Sequence, residues 1–344
     1  MKAKKYLAVF IAAALSLGAC SLTAQDSKKT TDGDGTVTVL THDSFALSDE
    51  AVAEFEETSG YKLKTISAGD GTVLNNLRLK KDAPVVDAFF GVDSFNAHEV
   101  LTENLAEEVE LDAKLLAKLP ASAQLDGKLV AIDRGDVCLN YDKAWFAEKQ
   151  LAVPTSFEDL KAPEYQGLTV LIDPLTSTPG FAFLAATVEK YGDQWKEYWK
   201  DILANGAKVV DGWSTAYYVD YSAGEGAGAF PIVLSYSSSP AYHEGGTAAV
   251  FETCIEQVEY AGVTAGAKNA DGAKAFIEFM LSDKVQTEIP NTMYMYPIVQ
   301  GIEMPKEWAE YAPLPENSLQ PDLAAVATNR ETWLKDWEKI QRGE

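Results

Sequence analysis

The chain has 344 residues and a formal net charge of −23, with 52 acidic against 29 basic residues. Nucleic acids bind to basic surfaces, so this charge argues against a nucleic-acid-binding protein. It weakly favours the approach of cationic small molecules, because the long-range field of an acidic surface attracts them.

Residues 1–19 are predicted to form a bacterial lipoprotein signal peptide. Three lysines lie within the first five residues and precede an apolar run over residues 6–17, which is too short to span a bilayer permanently. The sequence LGAC over residues 17–20 resembles a lipobox, so Cys20 is expected to be the acylated first residue of the mature chain. An ordinary signal peptide with an incidental cysteine is the alternative. Residues 20–35, which are polar and glycine-containing, are expected to be a flexible tether.

Short strand-like runs alternate with helical patterns along the rest of the chain, which predicts an α/β fold with mostly parallel sheets. In the first series, strands are expected at 36–40, 61–67 and 85–91, and helices at 48–59 and 73–81. In the second series, strands are expected at 168–172, 208–210 and 232–236, and helices at 181–191 and 195–203. Further helices are expected at 273–281 and 330–341.

Two extended stretches, 129–141 and 248–263, lie between the two series. They predict two crossover strands that join two lobes across a ligand cleft. Lobe 1 is expected to comprise 36–132 and 262–300, lobe 2 to comprise 133–261, and 301–344 to form a C-terminal helical segment packed on the lobes. A fold of this kind suits the capture and release of a small solute.

The sequence contains no recognisable catalytic motif. His42, His98 and His243 do not have a metal-ligand spacing such as H-E-x-x-H, and there is no G-x-S-x-G, Walker or G-x-G-x-x-G motif. A catalytic pairing of Ser235 or Ser237 with His243 is supported only by their proximity in sequence. We therefore expect a binding protein rather than an enzyme, with no metal and no cofactor.

Aromatic and hydroxyl residues follow several predicted strands, beside glycine and proline, where ligands bind in open α/β folds. The segments are Asp-Gly at 70–71, TSTPG at 176–180, GWS at 212–214 and SYSSSPAYH at 235–243. Trp213, Tyr236 and Tyr242 are candidates to face an organic cation, with packing in the core as the alternative. Ser177 and Thr178 precede a predicted helix and are candidates to hold a phosphate or hydroxyl oxygen, with N-capping as the alternative.

These segments resemble those of the periplasmic thiamine-binding proteins, in the same order, together with THDSF at 41–45 and MYP at 295–297. The resemblance runs from about residue 37 to the final helix. It implies a type II periplasmic-binding-protein-like architecture and the function of an extracytoplasmic solute-binding lipoprotein of an ABC importer. Such a protein would capture thiamine or its mono- or diphosphate and deliver it to the permease. It would be a monomer held to the outer face of the bacterial cell membrane by its lipid anchor alone.

The resemblance also implies a set of ligand-binding residues. They are Asp70, Gly71, Ser177, Thr178, Trp213, Tyr236, Ser237, Ser238, Ser239, Tyr242, His42 and Tyr294. A plain Asp-Gly turn is the alternative for Asp70 and Gly71. The family often has tyrosine at the position of His42 and tryptophan at that of Tyr294, and these departures bear on the preference among thiamine and its phosphates.

Two other ligands are possible for a related binding protein. Tyr217 and Tyr218 form an adjacent tyrosine pair, a feature that ferric-binding proteins use for the metal. Within a helix their rings would point in different directions, which disfavours shared coordination. A polyamine or another organic cation is the second alternative.

Cys138 and Cys254 are predicted to form a disulfide. They are the thiols that remain once Cys20 is acylated, and disulfides persist outside the cytoplasm. Each cysteine lies in one of the two extended stretches, and side-by-side crossover strands would bring their Cα atoms within about 4.4–6.8 Å. Two buried free cysteines are the alternative.

Overall fold

The computed structural model describes residues 35–68, 73–120 and 122–344. The predicted signal peptide, Cys20 and the predicted tether up to residue 34 lie outside the described residues, as do Asp70 and Gly71. All described residues belong to one compact unit. Within this part of the chain, no helix has both the length and the apolar character needed to cross a bilayer.

The described residues alternate between strands and helices, as expected. The strands are Thr36–Thr41 (β1), Lys62–Ser67 (β2), Ala88–Asp93 (β3), Ala106–Glu107 (β4), Gln124–Leu125 (β5), Leu129–Arg134 (β6), Val137–Asp142 (β7), Thr169–Ile172 (β8), Lys208–Val210 (β9), Ile232–Tyr236 (β10), Thr247–Ala249 (β11), Val258–Thr264 (β12) and Tyr296–Pro297 (β13). The helices are Asp49–Ser59 (α1), Val73–Leu79 (α2), Ala97–Thr102 (α3), Ala113–Leu116 (α4), Lys143–Lys149 (α5), Thr178–Tyr191 (α6), Trp195–Ala204 (α7), Ser239–Tyr242 (α8), Ala270–Met280 (α9), Asp283–Thr292 (α10), Lys306–Tyr311 (α11) and Leu323–Gln341 (α12).

The strands form two separate sheets, each the centre of a lobe. The lobe 1 sheet has the order β13-β6-β12-β3-β1-β2, with β4 beside β12 and β5 beside β6. The lobe 2 sheet has the order β11-β7-β10-β8-β9. Each sheet is covered by helices and has its own apolar core. The predicted two-lobed α/β fold is confirmed.

The prediction of mostly parallel sheets was wrong, because both sheets are mixed. β1 pairs in parallel with β2 and β3, and β8 pairs in parallel with β9 and β10. In contrast, β12 runs antiparallel to β3, β4 and β6, and β7 runs antiparallel to β10 and β11. The strands next to the crossovers, β6, β7 and β12, are therefore antiparallel to neighbouring strands. The alternation of strands and helices along the sequence does not reveal this direction.

Local signals fix the ends of helix α1. The Ser48 hydroxyl accepts a 3.0 Å hydrogen bond from the Ala51 N–H, and Gly60 takes a left-handed conformation with φ of 77°. Serine caps helix starts in this way and glycine adopts positive φ without steric cost, so the helix agrees with the predicted range 48–59 to within one residue. Strand β3, in contrast, begins three residues later than predicted, because Val85 lies exposed in the preceding loop.

Two crossover segments join the lobes, as predicted. Val137 and Ile255 exchange two backbone hydrogen bonds of 2.9 Å each, and Leu319 pairs with the other edge of the second crossover. Beside the Val137–Ile255 pair, Cys138 and Cys254 form the predicted disulfide, with Cα atoms 4.2 Å apart. This separation is slightly below the expected range, because the cysteines occupy a non-hydrogen-bonded antiparallel position, where Cα atoms approach to about 4.5 Å.

Helix α12 contacts both lobes. Trp337 is fully buried against Trp199 of lobe 2, with ring centroids 4.5 Å apart. Arg330 lies 4.0 Å from the ring centroid of Phe181 in lobe 2, and its Nε is 3.9 Å from Glu99 in lobe 1. The helix begins seven residues earlier than predicted, at a cap in which Asp322 accepts a hydrogen bond from the backbone of Ala325.

Candidate functional site

A cavity of about 340 Å³ lies between the two sheets. This volume is within the range of about 300–1,000 Å³ that small-molecule sites usually have. Its lining residues are His42, Ser44, Gly91, Asp93, Thr178, Pro179, Trp213, Tyr217, Tyr218, Tyr236, Ser238, Ser239, Tyr242, Gln257, Glu259, Thr292, Met293, Tyr294 and Met295. Both lobes contribute, so the cavity is the cleft that the two-lobed fold predicts.

Lobe 2 supplies an aromatic wall that is held in place by hydrogen bonds. The Trp213 indole stacks on Tyr217, with centroids 4.8 Å apart and ring planes 16° from parallel. Its Nε1 donates a 2.9 Å hydrogen bond to the Ser235 hydroxyl, which lies 2.7 Å from the Ser239 hydroxyl. The indole is therefore fixed in orientation at the cavity, which limits the entropy lost when a flat ligand stacks on it.

Two tyrosines meet across the mouth of the cleft. Tyr242 of lobe 2 and Tyr294 of lobe 1 contact edge to face, with centroids 5.5 Å apart, and both side chains are partly exposed. Tyr294 has a φ of 54°, which is uncommon for a residue with a side chain. Strained backbone of this kind is concentrated at binding sites, where it directs a side chain towards the ligand.

His42 lies on the lobe 1 side of the cavity. Its Nε2 is 3.3 Å from Oε2 of Glu259, and its ring is tilted against Phe90 with centroids 5.2 Å apart. Gly91 makes room for this ring, because a Cβ at Gly91 would lie 2.3 Å from the imidazole. Gly91 also has a φ of 96°, so glycine is required there for two independent reasons.

Ser177 and Thr178 lie at the start of α6, where Thr178 lines the cavity and Ser177 does not. The Thr178 hydroxyl donates a 2.8 Å hydrogen bond to Asp93 of lobe 1. Ser177 has extended backbone angles at the N-cap position, but its hydroxyl makes no capping hydrogen bond. Its Oγ is buried and has no hydrogen-bond partner among the described residues.

Burial perturbs two carboxyl groups of lobe 1 near the cavity. Burial raises the pKa of Asp93 above its ordinary value, although Arg330 and hydrogen bonds from Thr178 and Asn96 act in the opposite direction. The pKa of Asp133 is raised well above its ordinary value by burial and by the adjacent Glu259. Desolvation disfavours the charged form of a carboxyl group, so both residues hold a proton more readily than an exposed aspartate.

The structure brings together most of the predicted ligand-binding residues. Those that line the cavity are His42, Thr178, Trp213, Tyr236, Ser238, Ser239, Tyr242 and Tyr294. Ser237 and Ser177 are also buried, but they do not line the cavity. Asp70 and Gly71 lie outside the described residues.

Several cavity residues were not in the predicted ligand-binding set. They include Gly91, Asp93, Tyr217, Tyr218, Gln257, Glu259, Met293 and Met295. The rings of Tyr217 and Tyr218 are 83° apart, in agreement with the expectation that they point in different directions, yet both reach the cavity. Among the described residues, no group of three or more histidine, cysteine and acidic side chains is arranged to hold a metal ion.

A cleft between two α/β lobes that are joined by two crossover segments, lined by aromatic rings and a few polar groups, defines a small-molecule binding protein of the solute-capturing class. Residues 50–316 match the family of bacterial extracellular solute-binding proteins, and the chain belongs to that family. Members of this family bind solutes, so the chain is not an enzyme, as the sequence predicted.

The chain is also similar to individual relatives of known function. It is 31% identical to the thiamine-binding periplasmic protein of Salmonella typhimurium, over 88% of this chain and 92% of that protein. It is 30% identical to the thiamine-binding periplasmic protein of Escherichia coli, again over 88% of this chain and 92% of that protein. The predicted resemblance to this group is confirmed.

Solved structures agree with this assignment. A periplasmic thiamin-binding protein superimposes with a TM-score of 0.78 at 28% identity, covering 89% of this chain and 96% of that one. The apo ferric ion-binding protein A of Pasteurella haemolytica superimposes with a TM-score of 0.72 at 18% identity, covering 89% and 98%. The second similarity shows only a common fold.

Proposed function

We propose that this chain captures thiamine or a thiamine phosphate outside the cytoplasm and delivers it to the permease subunits of an ABC importer. The observation that carries the proposal is the aromatic cleft, with Trp213, Tyr236, Tyr242 and Tyr294 at its surface. Thiamine joins a cationic thiazolium to a flat aminopyrimidine, and both rings are complementary to aromatic faces. Two relatives, at 31% and 30% identity, are named thiamine-binding periplasmic proteins.

The start of α6 is the proposed site for the hydroxyethyl or phosphate end of the ligand. Thr178 lines the cavity there, and the buried Ser177 hydroxyl beside it has no hydrogen-bond partner among the described residues. The N-terminus of a helix of 14 residues also carries a partial positive charge that attracts oxyanions. We include Asp70 and Gly71 in the proposed ligand set on the family resemblance alone.

Mass spectrometry of small molecules that co-purify with the protein, followed by calorimetry with thiamine, its monophosphate and its diphosphate, tests the proposal. We expect one of these three compounds to co-purify and to bind with a dissociation constant below about 1 μM. Ser177→Ala should weaken binding of the phosphorylated forms more than that of thiamine. Absence of binding for all three compounds would reject the proposed ligand.

Ferric iron is the alternative ligand, because Tyr217 and Tyr218 both reach the cavity. Two features oppose it. The Tyr217 hydroxyl donates to the backbone oxygen of Ser239 at 3.4 Å, and burial raises the pKa of Tyr217, which disfavours the phenolate that Fe³⁺ requires. A visible tyrosinate absorption band in the purified protein would support iron. A polyamine remains the other alternative, and it would compete with thiamine in calorimetry.

We also propose that the protein is a monomeric lipoprotein, attached through Cys20 to the outer face of the cell membrane, and that it requires no cofactor. The support is the LGAC sequence after an apolar run in residues 1–19. Radiolabelled palmitate should be incorporated by the full chain expressed in a bacterium and not by Cys20→Ser. Size-exclusion chromatography with light scattering of the soluble part tests the oligomeric state.

A further inference from the structure

Two polar side chains reach the cavity from the second crossover, at the beginning of β12. They are Gln257 and Glu259, and both line the cleft. Residues two apart in an extended segment point to the same side, which explains why the intervening Val258 does not line the cavity. The two side chains therefore form a pair of hydrogen-bond acceptors on the lobe 1 surface of the cleft.

The amide oxygen of Gln257 is buried beside the cavity. The residue is 1% exposed, and its Oε1 has no hydrogen-bond partner among the described residues. Buried polar atoms in folded proteins are nearly always hydrogen-bonded, so an unpaired acceptor beside a cavity indicates a donor that a ligand supplies. Gln257 thus points to a ligand that carries an N–H or O–H group.

Glu259 differs from the two carboxyl groups next to it. On neighbouring strands, Asp93 of β3 and Asp133 of β6 are both in register with Glu259. Asp93 already accepts hydrogen bonds from the backbone of Phe95 and Asn96 and from the Thr178 hydroxyl. Asp133 is fully buried and does not line the cavity. Glu259 is therefore the carboxyl group of this row that is best placed to act on a ligand.

The neighbours of Glu259 influence how much negative charge the cleft wall carries. Burial and the proximity of Glu259 raise the pKa of Asp133, so Asp133 holds a proton more readily than an exposed aspartate and adds less negative charge beside Glu259. The Nε2 atom of His42 lies 3.3 Å from Oε2 of Glu259 and helps to hold this carboxyl group in the cavity wall. The charge of Arg330 acts on Asp93, where it lowers the pKa of that carboxyl group.

We propose that Glu259 and Gln257 select a cationic, amine-bearing ligand: Glu259 supplies the opposing charge for the ligand's cationic ring, and Gln257 accepts a hydrogen bond from its amino group. This inference rests on the proposed thiamine function and adds the residues that distinguish a cation from a neutral molecule of the same shape. Aromatic faces also attract a cation, and a carboxylate in a partly desolvated cleft adds a direct charge–charge attraction that a neutral ligand does not have.

The test compares thiamine with its neutral thiophene analogue, in which carbon replaces the positively charged ring nitrogen. For the unmodified protein, calorimetry should give thiamine an advantage of at least about tenfold. Glu259→Gln should reduce thiamine affinity by about tenfold or more while changing the affinity for the neutral analogue less than about threefold. Gln257→Met should weaken both ligands equally, because both retain the amino group.

Two further variants serve as controls. Glu259→Asp keeps the charge, and we expect it to keep the preference for thiamine even if overall affinity falls. Glu256→Gln removes a neighbouring carboxylate that instead pairs with Arg134 at 2.8 Å, and it should leave the preference unchanged. If Glu259→Gln retains the full preference for thiamine, the inference is overturned while the proposed function stands. If the unmodified protein binds neither compound, both are overturned.

Discussion

Thr178 of lobe 2 donates a 2.8 Å hydrogen bond to the carboxylate of Asp93 in lobe 1 and so joins the two sides of the cleft directly. Hydrogen bonds to charged groups contribute about 1.5–3 kcal/mol. Thr178→Val should therefore weaken ligand binding by about tenfold and increase the radius of gyration of the unliganded protein in small-angle X-ray scattering. Thr178→Ser keeps the hydroxyl and should behave like the unmodified protein. An unchanged radius and affinity in Thr178→Val would show that this bond does not hold the lobes together.

Trp213 is expected to be the main aromatic contact of the ligand. Trp213→Ala should weaken thiamine binding at least about tenfold, or 1.4 kcal/mol, and should abolish most of the tryptophan fluorescence change on binding. Ser235→Ala removes the hydrogen bond that fixes the indole but keeps the ring. Ser235→Ala should weaken thiamine binding about threefold. Equal affinity in folded Trp213→Ala would exclude this residue from the site.

Gly91→Ala should disturb the site through His42. The new methyl group would lie 2.3 Å from the imidazole, so the ring must move away from Glu259 and binding should weaken. Gly60→Ala is a matched control, because Gly60 also has a positive φ but no atom within 4 Å of the added methyl group. Both variants should lower the free energy of unfolding by about 1 kcal/mol or more. Only Gly91→Ala should reduce affinity in calorimetry, and equal losses would contradict this account.

Asp133 should make stability depend on pH. Its pKa is raised above 3.8 in the folded protein, so its stabilising contribution is complete below that value and is lost as pH rises through the folded pKa. Asparagine has nearly the same shape and does not ionise. The free energy of unfolding of Asp133→Asn, measured by urea titration, should therefore rise relative to the unmodified protein between about pH 4 and pH 7. A constant difference over this interval would mean that Asp133 is not perturbed.

The disulfide can be verified chemically. The denatured, unreduced protein lacking Cys20 should contain no free thiol, and two thiols per chain would disprove the bridge. Cys138 and Cys254 are separated by 116 residues. The loop-entropy model gives about 4–5 kcal/mol of stabilisation for a loop of this length, as an upper figure. A Cys138→Ser/Cys254→Ser double variant should lose stability in urea by up to that amount.

The fold could be predicted where local patterns decide it. The strands over 208–210 and 232–236 were located correctly, because they are short apolar runs bounded by polar or glycine-containing loops. The antiparallel placement of β12 was not predictable in the same way. Its neighbours β3 and β6 lie more than 120 residues earlier in the chain. Such pairing depends on contacts between distant segments, which leave no periodic signal in either segment.

The same limit applies to the cleft. Trp213 and Tyr242 could be found because large rings beside glycine or proline at strand ends are unusual. Glu259 and Gln257 were missed, because in sequence they resemble ordinary polar positions of a crossover strand. Only the register with Asp93 and Asp133 shows that Glu259 belongs to a row of carboxyl groups at the cavity. Gln257 and Glu259 are polar residues two apart within the predicted crossover at 248–263. This alternation is the sequence signal that could have indicated a shared polar face.

The bridge between the crossovers also closes lobe 2 into a covalent ring. The polypeptide between Cys138 and Cys254 leaves lobe 1 and returns to it at two points joined by the disulfide. One proteolytic cut anywhere inside this ring would leave a single covalent molecule, because the two resulting fragments would still be joined by the disulfide. A nicked lobe would thus retain its packing partners at high effective concentration. Extracellular proteases would have to cut twice before any part of lobe 2 could diffuse away.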